Sequence, residues 1–259
     1  MASTGVAGNA ASLAAIRARP WFYEFELPDG TRTKSHLPPG VEKIHETRLA
    51  LLEQALDKRF GRDCSSLTAV DLACHQGWFA MHLAKRNFRS ILGVDARDEH
   101  LADAKLMADV LGVKQFATRK VDLEDAKAAE VGVHDVTLML GLLYHLENPV
   151  RVLRLARAVT RKMMVIETQV VPHMSGMVDW GSWRFQRPMV GAFGIVDETA
   201  ETHASEASVH GICLAPSIET LEWLLKRIGF ARVERLLPPA DGYEQLVAQK
   251  RVMFAAYTE

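Results

Sequence analysis

The sequence predicts an α/β fold: a doubly wound, mostly parallel seven-stranded Rossmann-like sheet with an N-terminal helical extension and an inserted lid. Two observations carry that expectation. From Ala69 onward short apolar runs alternate with longer amphipathic segments, the pattern of βαβ units around a parallel sheet. The run Val136 to Leu140 is apolar without interruption, as a central parallel strand covered on both faces must be.

Taken in order, residues 1–19 read as a disordered tail and 20–259 as a single domain. Trp21 to Phe25 precedes the turn Pro28-Asp29-Gly30, and Glu42 to Arg59 carries Ile44, Leu49, Leu52 and Leu56 at helical spacing. Thr68 to Cys74 is the first strand and Trp78 to Lys85 its helix. Ser90 to Val94 is the second, followed by a helix from Glu99 to Leu111 with Leu101, Ala104, Ala108 and Leu111 on one stripe. Phe116 to Val121, Val136 to Leu140 and Met163 to Ile166 supply three more strands, and Pro149 opens the helix before the last of these. Gln169 to Ala215 keeps no period and reads as a lid over the active site. Ser217 caps a helix bearing Leu221, Leu224, Leu225 and Ile228 that stops at Gly229. Val233 to Leu237 and Val252 to Tyr257 complete seven strands.

The formal net charge of -1 gives no global pull toward a polyanion, so nucleic acid is the less favoured partner. Cys64, Cys74 and Cys213 form no metal-ligand or redox spacing, as a reducing cytoplasm permits. Charges interrupt every hydrophobic run before the ~20 residues a membrane span requires. A cytoplasmic protein without a membrane partner is expected, and a homodimer is left open.

The chemistry gathers at strand ends, where doubly wound sheets bind ligands. The first strand runs into Asp71-Leu72-Ala73-Cys74-His75-Gln76-Gly77, a tight turn opening a helix, with Gly77 allowing close backbone approach. Asp95-Ala96 follows the second strand, where a carboxylate accepts from ribose hydroxyls, and Asp122-Leu123 follows the third, where it can address an adenine. No Gly-x-Gly-x-x-Gly follows any strand, which removes a nicotinamide enzyme.

These residues together resemble the class I S-adenosylmethionine-dependent methyltransferases, whose first motif reads Asp-Leu-Gly-Cys-Gly-x-Gly. Ala73 and His75 replace two of its glycines, so backbone is expected to approach the cofactor less closely at His75. The fourth strand ends in Leu140-Gly141-Leu142-Leu143-Tyr144-His145-Leu146-Glu147-Asn148-Pro149, similar to a segment of the branch that completes carboxymethoxy-uridine at the tRNA wobble position. Ala215-Pro216-Ser217 and Gly242-Tyr243 with Ala248-Gln249-Lys250-Arg251 extend the resemblance.

The resemblance implies S-adenosyl-L-methionine as cofactor, held by Asp71, Ala73, His75, Gly77, Asp95, Ala96, Asp122, Leu123, Leu140, Tyr144 and Arg251. Tyr144 and Arg251 would stand beside its methionine end, and Arg251 could fork onto a carboxylate. Trp21 to Phe25 lacks the lysine with which the tRNA enzymes hold a carboxylated cofactor, favouring the ordinary one. His145 is the candidate general base, with Tyr144 beside it. Trp21, Tyr23, His173, Trp180 and Trp183 are candidates for the acceptor wall, with Phe193 as a further aromatic.

Plainer roles stay open. Asp122 could be a solvated loop acid, Tyr144 and His145 packed residues, Arg251 a surface cation, and His173, His203 and His210 surface groups without metal-site spacing. The favoured function is in-line methyl transfer to a small-molecule O or N acceptor. A tRNA-modifying enzyme and a non-catalytic cofactor-binding protein are the alternatives.

Overall fold

The computed structural model describes residues 12–174, 176–178, 187–198, 208 and 211–259. Its strands are β1 (Thr68–Leu72), β2 (Ser90–Asp95), β3 (Phe116–Lys120), β4 (His134–Leu140), β5 (Thr160–Gln169), β6 (Gly176–Val178), β7 (Arg187–Met189), β8 (Phe193–Asp197), β9 (Ile212–Pro216), β10 (Arg232–Leu236) and β11 (Arg251–Tyr257). The helices are α1 (Lys43–Phe60), α2 (Trp78–Lys85), α3 (Asp98–Leu111), α4 (Ala128–Val131), α5 (Pro149–Val159), α6 (Ile218–Arg227) and α7 (Glu244–Val247). Among the described residues seven strands make one sheet in the order β10-β11-β5-β4-β1-β2-β3. β1 runs parallel to β2 and β4, and β2 to β3. β11 is antiparallel to both β5 and β10.

By internal packing the chain divides into two compact units, the first running to Leu123 and including His134–Leu138, the second comprising Glu124–Val133 and Met139–Glu259. In the first, the apolar stripe of α1 buries Leu51, Leu52, Ala55 and Leu56, and Val70, Leu72 and Val94 are wholly buried strand residues. Part of the expected tail is structured. Residues 12–17 are helical, Ile16 is buried, and its carbonyl accepts the Trp21 indole N–H at 2.8 Å. A wholly buried indole needs such an acceptor.

In the second unit β5 is much longer than the Met163 to Ile166 run predicts. β11 pairs with it residue for residue, from Arg251 opposite Gln169 to Tyr257 opposite Met163. Pro149 starts α5, as its fixed φ suits a first helical turn. The Ser217 hydroxyl caps α6, accepting from Thr220 N at 3.3 Å.

The stretch expected to be irregular contains regular pairs: β6 lies antiparallel to β7, and β8 to β9. Gly194 of β8 packs closely on Val171, since a Cβ there would sit 2.7 Å from Val171 Cγ1. Trp180, Trp183, His203 and His210 lie outside the described residues.

Candidate functional site

The turn after β1 keeps the glycine-type backbone although glycine is gone. Ala73 and His75 have φ of 59° and 50°, and Gly77 follows at 78°. Left-handed backbone at an L residue costs roughly 1–2 kcal/mol, so the surroundings must hold this loop. Asp95 does so: its Oδ2 accepts His75 N at 2.9 Å and its Oδ1 accepts Arg97 N at 3.0 Å. The backbone at His75 thus keeps the left-handed turn that the replaced glycine would adopt.

Asp95 is nearly buried. Burial alone would raise its pKa, but the His100 imidazole at 3.3 Å and the two amides outweigh that and hold it below the usual carboxylate range. Asp71, 2 % exposed, goes the other way: burial first, then the Asp95 charge, push it up to about 8. Its Oδ2 is buried with no hydrogen-bond partner. An orphaned carboxyl oxygen beside three left-handed residues fits a cationic ligand whose charge would replace the lost water. Asp71, Ala73, His75, Gly77 and Asp95 are thus suited to hold S-adenosylmethionine.

The N-terminal segment is fastened to this loop by Gln76, a residue that carries no motif signal. Its Oε1 accepts Phe22 N at 2.8 Å, and its Nε2 donates to Pro20 O at 3.1 Å and Asp103 Oδ2 at 3.0 Å. Trp78 Nε1 donates to Glu24 O at 3.0 Å. Tyr23 stacks on Trp78 at 5.6 Å between ring centroids and edges onto His75, also at 5.6 Å. Trp21, 1 % exposed, is an anchor of this segment. Tyr23 is buried too, in contact with the motif histidine.

The second unit holds another cluster. Leu140 ends β4, and a 3-10 turn at Leu143–His145 presents Tyr144 and His145 with ring centroids 4.0 Å apart. Arg251 is buried, unlike a surface cation. Its Nε donates to Gln245 Oε1 at 2.7 Å, Nη1 to Glu167 Oε1 at 3.2 Å and Nη2 to the Tyr144 hydroxyl at 3.2 Å. Burial opposes its charge, yet the Tyr144 and Glu167 oxygens raise its pKa above the ordinary arginine value. The fork expected to meet a ligand carboxylate thus meets protein acceptors.

His145 Nδ1 lies 2.5 Å from Glu198 Oε2. The same oxygen accepts Ser208 N at 2.9 Å and Cys213 Sγ at 3.3 Å. Burial raises the Glu198 pKa, but these donors, His145 foremost, bring it below the usual value. Glu198 carries no motif signal in the sequence, because it lies in the aperiodic stretch read as a lid. Of the remaining candidates, Ala96 and Asp122 are partly exposed, Leu123 is buried, and His173 pairs with Glu219 at 2.8 Å on the surface. Phe193 begins β8.

A family model described as a methyltransferase domain matches residues 44–235. The ubiquinone biosynthesis O-methyltransferase of Vibrio parahaemolyticus is 27% identical over 121 residues, 47% of this chain and 48% of that protein, so the match spans about half of that relative's length. Among solved structures, the N-terminal domain of EvdMO1, crystallised in the presence of SAH and D-fucose, superposes with a TM-score of 0.68 at 20% identity, over 99% of this chain and 97% of that one. Magnesium protoporphyrin IX methyltransferase from Synechocystis PCC 6803 with bound SAH gives 0.55 at 13% identity, over 99% and 95%. At such identities the likeness establishes a shared fold. Among the described residues no helix is long and apolar enough to cross a membrane.

Proposed function

The chain belongs to the methyltransferase-domain family and is an S-adenosylmethionine-dependent enzyme, and from that premise we propose that it methylates a hydroxyl group of a small molecule. The observation that carries the choice of oxygen is His145, an imidazole with 16% of its side chain exposed and a buried carboxylate on its Nδ1. A hydroxyl is a poor nucleophile until a base removes its proton, whereas an amine or thiolate needs only placement. When bound, the cofactor supplies an electrophilic methyl group on a sulfonium. In this reading Asp71 offers the cofactor's cation its orphaned oxygen, Asp95 and Asp122 address the ribose and adenine, and the Ala73 to Gly77 backbone lines its path. Tyr144 and Arg251 form the wall beside His145. His145 takes the acceptor proton.

Two relatives support a small hydroxyl compound. The Vibrio protein is named an O-methyltransferase, and the EvdMO1 domain was crystallised with a sugar. The net charge of -1 offers no general attraction to tRNA, against the acceptor of the wobble-uridine branch. The test is incubation with methyl-labelled S-adenosylmethionine and three pools: phenols, hexoses and total tRNA. Label on a hydroxyl oxygen of a phenol or hexose is expected. Label confined to tRNA, or to nitrogen, overturns the proposal, as does cofactor binding without turnover in any pool.

A further inference from the structure

Resting on that reading of the reaction, we propose that Glu198 is the positioning residue that makes His145 a general base, by holding the ring in the tautomer with its proton on Nδ1 and its lone pair on Nε2. The geometry is specific. Glu198 has 1% of its side chain exposed against 16% for His145, so the pair runs from the interior outward. One carboxylate oxygen takes the Nδ1 contact at 2.5 Å, the Ser208 amide at 2.9 Å and the Cys213 thiol at 3.3 Å. Three donors converging on Oε2 fix both its direction and its ionised state. An ionised carboxylate can only accept, so the ring nitrogen facing it must carry the proton.

The ring is also held on its face. Tyr144 lies against it at 4.0 Å, and the Tyr144 hydroxyl is itself fixed by Arg251 at 3.2 Å. The imidazole thus has a defined plane as well as a defined tautomer, as an effective proton acceptor requires. In the reaction the acceptor O–H bond breaks, its proton bonds to Nε2, and its electron pair stays on oxygen. That oxygen bonds the methyl carbon while the carbon–sulfur pair remains on sulfur. The imidazolium so formed carries a positive charge against the Glu198 carboxylate, which stabilises it until the proton passes to solvent.

The test uses the full chain with 15N-labelled histidine, and reads the His145 tautomer by long-range nitrogen–proton correlation without any acceptor present. An Nδ1–H ring is expected in the wild type, with the Nε2–H form growing in Glu198→Gln, whose amide can donate as well as accept. On whichever phenol or hexose hydroxyl is labelled, Glu198→Gln should lower kcat about 100-fold with KM within about threefold, and Glu198→Asp should restore part of the loss. An Nε2–H ring in the wild type, or full turnover in Glu198→Gln, overturns the inference while leaving hydroxyl methylation standing. A screen that labels no hydroxyl overturns the reading beneath it, whatever the tautomer.

Discussion

Ala73 and His75 show how a motif can lose its glycines and keep its shape, because the left-handed backbone is enforced by the Asp95 carboxylate on His75 N. Returning Ala73 to glycine relieves the side-chain strain but adds unfolded-state entropy of similar size, roughly 0.5–1 kcal/mol. Ala73→Gly should therefore stay within about 1 kcal/mol of the wild type in urea denaturation. Gly77→Ala differs, since φ is 78° and the new Cβ would stand 3.1 Å from Ala104 Cβ. It should cost about 1–2 kcal/mol, and a neutral result would show the loop to be unstrained. For Asp95, a carboxylate at a strand end was legible, but its hold on two amides was not, since backbone donors leave no trace in side-chain identity. Asp95→Asn should weaken binding of the cofactor product by roughly 1.5–3 kcal/mol. Calorimetry giving unchanged affinity in a folded variant would remove Asp95 from the site.

The longer elements were legible wherever burial was periodic, as in α2, α3 and α6, and misjudged where polar residues are buried in pairs. The end of β5 is the instructive case. Glu167 and Thr168 lie beyond the end of the predicted strand, yet both are wholly buried, because β11 lies alongside and Arg251 brings a charge to Glu167. Two halves of an ion pair so far apart in the chain leave no local period to read. The pairs β6 with β7 and β8 with β9 escaped for the same reason: each joins short strands across an intervening stretch, where alternation within one strand is too brief to register. Removing one member of a buried pair strands the other, so Glu167→Ala should lower stability by about 3–5 kcal/mol in chemical denaturation. A loss below about 1 kcal/mol would mean that Arg251 finds another partner, and that the ion pair does not hold β11 against β5.

For the whole molecule, the pH dependence of stability follows from four groups whose shifts have opposite signs. Asp95 and Glu198 lie below their ordinary values, so the stability they contribute is present above pH ~4 and is lost as pH falls through their folded pKa values. His82, lowered to about 4 first by burial and then by Lys85, contributes stability that is full above its unfolded pKa and is lost as pH falls from about 6.5 to about 4. Asp71, raised to about 8, does the reverse: its contribution is full below about pH 4 and disappears as pH rises toward 8. Between about pH 4 and 6.5 the His82 and Asp71 slopes oppose each other, each limited to about 1.4 kcal/mol per pH unit. Above about 6.5 only the Asp71 decline remains. Stability should therefore fall steeply below about pH 4, stay nearly level to about 6.5, and then decline until about 8. Asp71→Asn, which mimics the protonated carboxyl, should remove the upper decline and, with nothing opposing His82, make stability rise from about pH 4 to 6.5. Saturating S-adenosylmethionine should flatten the upper decline by favouring the ionised Asp71, and its binding at pH 7 should release protons, seen as a buffer-dependent binding enthalpy. Denaturation curves from pH 4 to 9 that coincide in shape for the wild type and Asp71→Asn would show that Asp71 ionises normally, and would remove the reason for assigning a cation to it.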